Sequence, residues 1–209
     1  MKACFIWKHK LDYYLFYFWT ITTVHKCIIF ELENKNKMTK ADLKQNEYNA
    51  YYERYISLAS DETTLIDGLM EDKKMVIDFF SSIPKDKLEY RYQPEKWTVK
   101  ELLQHIIDTE RIFMYRLLRI ARKDITALAG FDQDIYVSPS GANNKSLESL
   151  IEEFSITRIY SLNLISSISD ENLKNMGTAS NSPVSARACG FILLGHSVWH
   201  IDIIKERYL

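Results

Sequence analysis

The chain has 209 residues, with 27 basic against 28 acidic side chains and a net charge of −1. That length suits one domain with a substantial core, and the charge balance lacks the basic footprint that nucleic acid requires. Three cysteines, Cys4, Cys27 and Cys189, make neither an even framework nor a CxxC pair, which points to a reducing compartment, expected to be the cytoplasm.

The first 37 residues differ from the rest. They hold nine aromatics, two of the three cysteines and two of the five histidines. The apolar run Tyr13 to Val24 is too short to span a bilayer, and no small-residue cleavage site follows it. Residues 1 to 37 are read as an atypical aromatic-rich extension that need not be native, with Met38 as the true start. A membrane anchor or interfacial segment is the alternative. Six basic and three acidic residues lie in it, so residues 38 to 209 carry a net charge of −4.

Beyond it the periodicity is helical, and no alternating strand stands out. A short helix is expected over Tyr48 to Tyr55. A longer one spans Thr63 to Ile83, with Leu65, Ile66, Leu69, Val76, Ile77 and Phe80 at helical spacing, and Pro84 ends it. Lys85 to Lys96 is a polar connection. Thr98 and Glu101 then form a capping box, and Val99, Leu102, Leu103, Ile106, Ile107, Phe113, Met114, Leu117 and Ala121 mark an apolar stripe. Asp124 to Asn144 is a long connection containing Gly130, Pro139 and Gly141. A third helix follows from Ser146 to about Ile168, then a loop from Asn175 to Pro183. The last helix runs from Ser185 to Tyr208. Four long helices with one long crossover predict an all-α four-helix bundle.

The most informative residues are His196 and His200. Four apart on a helix, both imidazoles project from one face, and two neutral imidazoles at that spacing can grip one divalent metal. They share a row with Ile192 and Ile203, which turns them inward. Gly195 either leaves room for a ligand beside His196 or permits close helix packing. His105 is less tidy: it falls more than a quarter turn from its apolar stripe, beside Glu101, Thr109 and Ile112. Either it is a boundary residue or it faces a second groove, where a suitably crossed last helix would meet it. Three histidines from two helices would leave positions open for water or substrate, as catalytic sites do.

Two charges lie in the centre of apolar stripes: Glu110 between Ile106 and Phe113, and Arg158 between Phe154 and Leu162. Buried charges are usually paired, so a buried Glu110–Arg158 ion pair across the bundle is expected. A general-base role for Glu110 ranks lower, since it points away from His105. Asp108, one turn past His105, is a candidate to orient an imidazole. Asp132 and Asp134 in the crossover are candidates for the mouth of the site. Cys189 reads as a small core residue.

The motif Trp97-Thr98-x-x-Glu101-x-x-x-His105-x-x-Asp108, with Gly195-His196-x-x-x-His200 near the C-terminus, resembles the DinB-like superfamily and its YfiT-type members. The resemblance runs from about Asp42 to Leu209. It implies a four-helix bundle with a three-histidine site for a divalent transition metal (zinc, nickel or iron), whose ligands would be His105, His196 and His200. Many members carry histidine where this chain has Trp199, beside the ligand pair rather than in it. The activity it implies is transfer of a low-molecular-weight thiol to an electrophile, or hydrolysis, at that metal. The alternative is a non-catalytic, stress-induced metal-binding bundle. A small-molecule substrate is the expected partner, a homodimer is allowed, and nucleic acid is not expected.

Overall fold

Each long helix begins at a side chain that caps it, and those caps fix where the bundle starts and stops. The computed structural model describes residues 37–209, so the expected extension lies outside the described residues except for Lys37. Single helical turns occupy its first part, ending in α1 (Glu53–Ile56). Thr64 accepts from the Asp67 amide at 3.2 Å and opens α2 (Leu65–Ser82). Thr98 accepts from the Glu101 amide at 3.1 Å while Glu101 accepts from the Thr98 amide at 2.7 Å, the reciprocal pair that starts α3 (Val99–Ala121). Ser146 opens α5 (Leu147–Ser166) and Ser185 opens α7 (Ala186–Arg207) in the same way.

The four long helices form a ring in which α3 touches α5 and α7, and α2 touches the same two. Contacts fix the directions. Gln104 and Glu110 of α3 meet Glu153 and Arg158 of α5 in the same order, so these helices run parallel. Gly190 lies against Leu65 and Gly68 against Leu194, so α2 and α7 are parallel too. Trp97 meets Tyr208 and His105 meets His196, so α3 and α7 run antiparallel. A parallel α3–α5 pair is what requires the long crossover. Phe80, Leu103, Ile106, Phe154 and Ile204 are among the residues that fill the centre.

Two expectations are corrected. The crossover is not a plain loop: α4 (Asp134–Ser140) lies within it, despite Pro139, and ends at Gly141, whose φ of +63° suits glycine. After the short α6 (Asp170–Leu173), the segment read as loop is a hairpin. Its strands, β1 (Met176–Ala179) and β2 (Ser182–Ser185), pair antiparallel with Ala179 opposite Ser182. Ser180 and Asn181 make the turn, both with positive φ (51° and 59°), the hand that matches strand twist.

The buried pair is present. Arg158 Nε and Nη2 donate to the two carboxylate oxygens of Glu110 at 2.8 and 3.0 Å. A third member went unforeseen: Arg158 Nη1 donates to Asp72 at 2.6 Å and to the Leu69 carbonyl at 3.0 Å. Burial, the largest influence, raises the Asp72 carboxyl above its ordinary pKa. A second buried pair, Arg187 with Glu47 at 2.8 Å, ties the segment before α1 to the first turn of α7. Among the described residues no helix is long and apolar enough to cross a membrane.

Candidate metal centre

Helical spacing places His196 and His200 one turn apart on α7, and the antiparallel α3 brings His105 to meet them. His196 Nε2 lies 3.1 Å from His105 Nε2 and 3.0 Å from His200 Nε2. The three ligand-capable nitrogens lie within 4.8 Å of one another. Aromatic rings hold the imidazoles: Trp97 packs on His105 at 4.7 Å between centroids, Tyr55 on His196 at 5.3 Å and Trp199 on His200 at 4.8 Å. The Nδ1 atoms of His196 and His200 are buried with no hydrogen-bond partner among the described residues.

Hydrogen bonding does not account for this convergence. His196 Nε2 is shared by two contacts, yet a ring nitrogen carries either one proton or one lone pair. A divalent cation would satisfy all three lone pairs. Donors about 2.0–2.1 Å from one ion, at angles between about 90° and 109°, lie roughly 2.9–3.4 Å apart. The two observed separations fall inside that range. Burial also keeps the rings neutral, as ligation requires: it lowers His105 to about 4, and burial plus mutual repulsion hold His196 and His200 well below the ordinary value.

This depression fixes a pH dependence for the metal-free protein. An unfolded chain protonates these histidines near 6.5, whereas the folded site resists down to about 4. Between those values the unfolded state binds more protons, so stability falls as pH drops through that window. Thermal melts of metal-free protein from pH 7 to 5 should show a declining Tm, and a His105→Asn, His196→Asn, His200→Asn variant should decline less. Equal slopes would show that the folded rings take up protons as readily as the unfolded ones.

The histidines sit in the wall of a cleft of about 1030 Å³, large enough for a drug-sized molecule. Trp97, Thr109, Phe113 and Tyr52 are among its lining residues, and Asp134 and Val137 of α4 close one side.

Of the other candidates read from the sequence, Asp134 alone reaches the cleft. Asp108 accepts from Gln104 at 3.1 Å and Arg111 at 3.2 Å, in a polar seam with Glu153 between α3 and α5; among the described residues it orients no histidine. Glu110 and Arg158 belong to the buried cluster with Asp72, and their contacts among the described residues include no histidine. Glu110 is thus committed to Arg158 and is not free as a base. Asp134 reaches the cleft; Asp132 instead accepts from the Asp134 amide at 2.9 Å. Cys189 is fully buried and its thiol is pushed up to about 12, so it stays protonated.

Gly195 serves close packing: a methyl there would overlap the backbone carbonyl of Tyr55. The tyrosines of the Ala50–Ile56 segment, which this contact presses against α7, form a wall that sequence reasoning missed. Their spacing, Tyr51, Tyr52 and Tyr55, was the available signal. Thr109, one turn beyond His105, was available on the same grounds.

The sequence profile of the DinB superfamily matches residues 70–204. No curated protein matches the chain. Among solved structures, YfiT from Bacillus subtilis, described as "a probable metal-dependent hydrolase with an unusual four-helix bundle topology", superposes with a TM-score of 0.61. The match covers 79% of this chain and 90% of that one at 13% identity, a likeness of fold.

Proposed function

From the premise that this chain belongs to the DinB superfamily, we infer that it is a metal-dependent enzyme acting on a small molecule bound in the cleft beside its three histidines. One observation carries the reading: three neutral Nε2 donors converge where a cleft opens, and no fourth protein ligand closes the group among the described residues. A structural site would be closed by that fourth ligand. His105, His196 and His200 would hold zinc, nickel or iron, a choice the donor set leaves open. When bound, the metal supplies Lewis acidity, which makes a weak nucleophile available near neutral pH.

The chain's own residues supply position and exclusion. Trp97, Tyr55 and Trp199 fix the imidazole rings, and the capping box with Asn143 sets the start of α3 beneath the cleft. Glu101, the cleft carboxylate nearest in sequence to His105, accepts from the Thr98 amide and from Asn143, so it is engaged as a cap. With no free carboxylate contacting a histidine among the described residues, a nucleophile that needs no protein base is favoured. Transfer of a low-molecular-weight thiol is therefore the finer reading, with hydrolysis second, in line with what is said of YfiT.

Elemental analysis tests this. Protein loaded with zinc, nickel or iron should hold about one equivalent, and a His196→Ala, His200→Ala variant should hold almost none. Failure of the parent to retain any of the three would end the enzyme reading. With metal established, thiol-dependent loss of an aryl halide such as 1-chloro-2,4-dinitrobenzene separates transfer from ester hydrolysis.

A further inference from the structure

Arg116, on α3 three turns past His105, is only 2% exposed. Its Nη2 donates to the Ala129 carbonyl at 3.1 Å and to Ser180 Oγ at 2.9 Å. Its guanidinium also lies over the rings of Phe113 (5.0 Å) and Phe131 (5.7 Å). No carboxylate pairs with it among the described residues. This sets it apart from Arg158 and Arg187, the other two deeply buried arginines, each of which has an acid. A buried cation without a counter-charge is costly, and aromatic faces and carbonyls offset only part of that cost.

The Ser180 hydroxyl beside it carries the charge into the cleft. Arginine has donors and no acceptor, so Ser180 must accept from it and keeps its own proton free. The Tyr52 ring packs edge-on against Phe113 at 5.9 Å between centroids and lines the same part of the cleft. Ser180, Tyr52, Phe113 and Phe131 all line the cleft. Ser180 is also held at a φ of +51°, a conformation costly for serine. Between this end and the histidines, Thr109 is 3% exposed, and its Oγ1 has no partner among the described residues. A threonine in a helix usually bonds the carbonyl one turn back; this one lines the cleft unused.

We propose that the α3 side of the cleft is an anion subsite: the substrate carries a carboxylate received by the Ser180 hydroxyl over the buried Arg116 charge, with Thr109 donating to its polar middle. The apolar span beside Phe113 and Phe131 suits a hydrophobic carboxylic acid. The proposal rests on the reading of this cleft as the substrate site. It does not require metal.

The test therefore uses metal-free protein and two probes of one shape, 3-phenylpropionate and its neutral amide, with affinity read by calorimetry or ligand NMR. The acid should bind roughly tenfold more tightly than the amide, the effect of one charge-assisted contact. Arg116→Met should abolish the preference, and Thr109→Val should weaken both probes alike. Where Arg116→Met fails to fold, Ser180→Gly answers instead: glycine accepts the positive φ, so the fold is kept while the preference falls several-fold. His196→Ala should leave the preference unchanged, which separates this subsite from the metal reading. Equal binding of acid and amide, no binding of either at their solubility limit, or a preference that survives both Arg116→Met and Ser180→Gly would overturn the proposal.

Discussion

Exchanging Arg158 for methionine should lower the unfolding free energy by about 3–5 kcal/mol, a fall in Tm of roughly 6–20 °C. The cause is what remains behind. Arg158 has no exposed surface and Asp72 and Glu110 are nearly as buried, so its loss leaves two carboxylates facing each other without a cation. Asp72 already has one oxygen, Oδ1, without a hydrogen-bond partner among the described residues. Such acids escape only by taking up protons. Their folded pKa then exceeds the unfolded one, so the variant recovers stability as pH falls toward the usual carboxylate range, opposite to the histidine effect. Thermal melts at pH 7.5 and 5 check both statements. Replacing all three residues together by Met or Leu should restore most of the loss, since a well-packed apolar set often equals a buried ion cluster. A deficit below about 1 kcal/mol for the single variant would mean that water reaches the carboxylates.

Gly195→Ala should be of similar size. Overpacking usually costs about 1–3 kcal/mol because a side chain can shift. Here the obstacle is the Tyr55 backbone itself, so α1 must move as a unit or leave α7. The upper end of that range is the minimum expected. Movement of α1 takes Tyr55 off the His196 ring, so metal retention should fall together with Tm, and protease should cut sooner near Arg54. Unchanged melting and metal content would show that the close approach is not maintained in solution.

What could be read beforehand depended on local signals. Thr98 and Glu101 announced their helix because a capping box is written within four residues. The Glu110–Arg158 pair could be inferred because each charge interrupts an apolar stripe. Asp72 gave the same signal, lying at helical spacing between Leu69 and Val76, but the neighbouring Lys73 and Lys74 made the stretch look solvent-facing. The hairpin escaped notice because Ser180-Asn181 is not the Asn-Gly pair that marks such turns, and its strands contain Gly177 and Pro183. Pro139 concealed α4 in the same way. His105 was ambiguous on its own wheel because its burial comes from Trp97 and from α7, a matter of how helices cross, which no single segment encodes. The tyrosine wall is likewise set by one glycine on a helix remote in sequence.

The manner in which the imidazoles are held has a consequence for selectivity. Histidine ligands are normally keyed by a hydrogen bond from the ring nitrogen that does not bind metal. In His196 and His200 that nitrogen is left without one among the described residues, and ring edges from Tyr55 and Trp199 do the holding. Packing of this kind resists translation but permits small rotations. Rings held in this way would let His105, His196 and His200 accommodate ions of different size, so the site would discriminate weakly by shape. Affinity would then follow the intrinsic order of the divalent metals, rising from iron to nickel, and occupancy would follow whichever ion the surroundings supply. Under the metal-enzyme reading, the metal in a purified sample would report the growth medium as much as the protein.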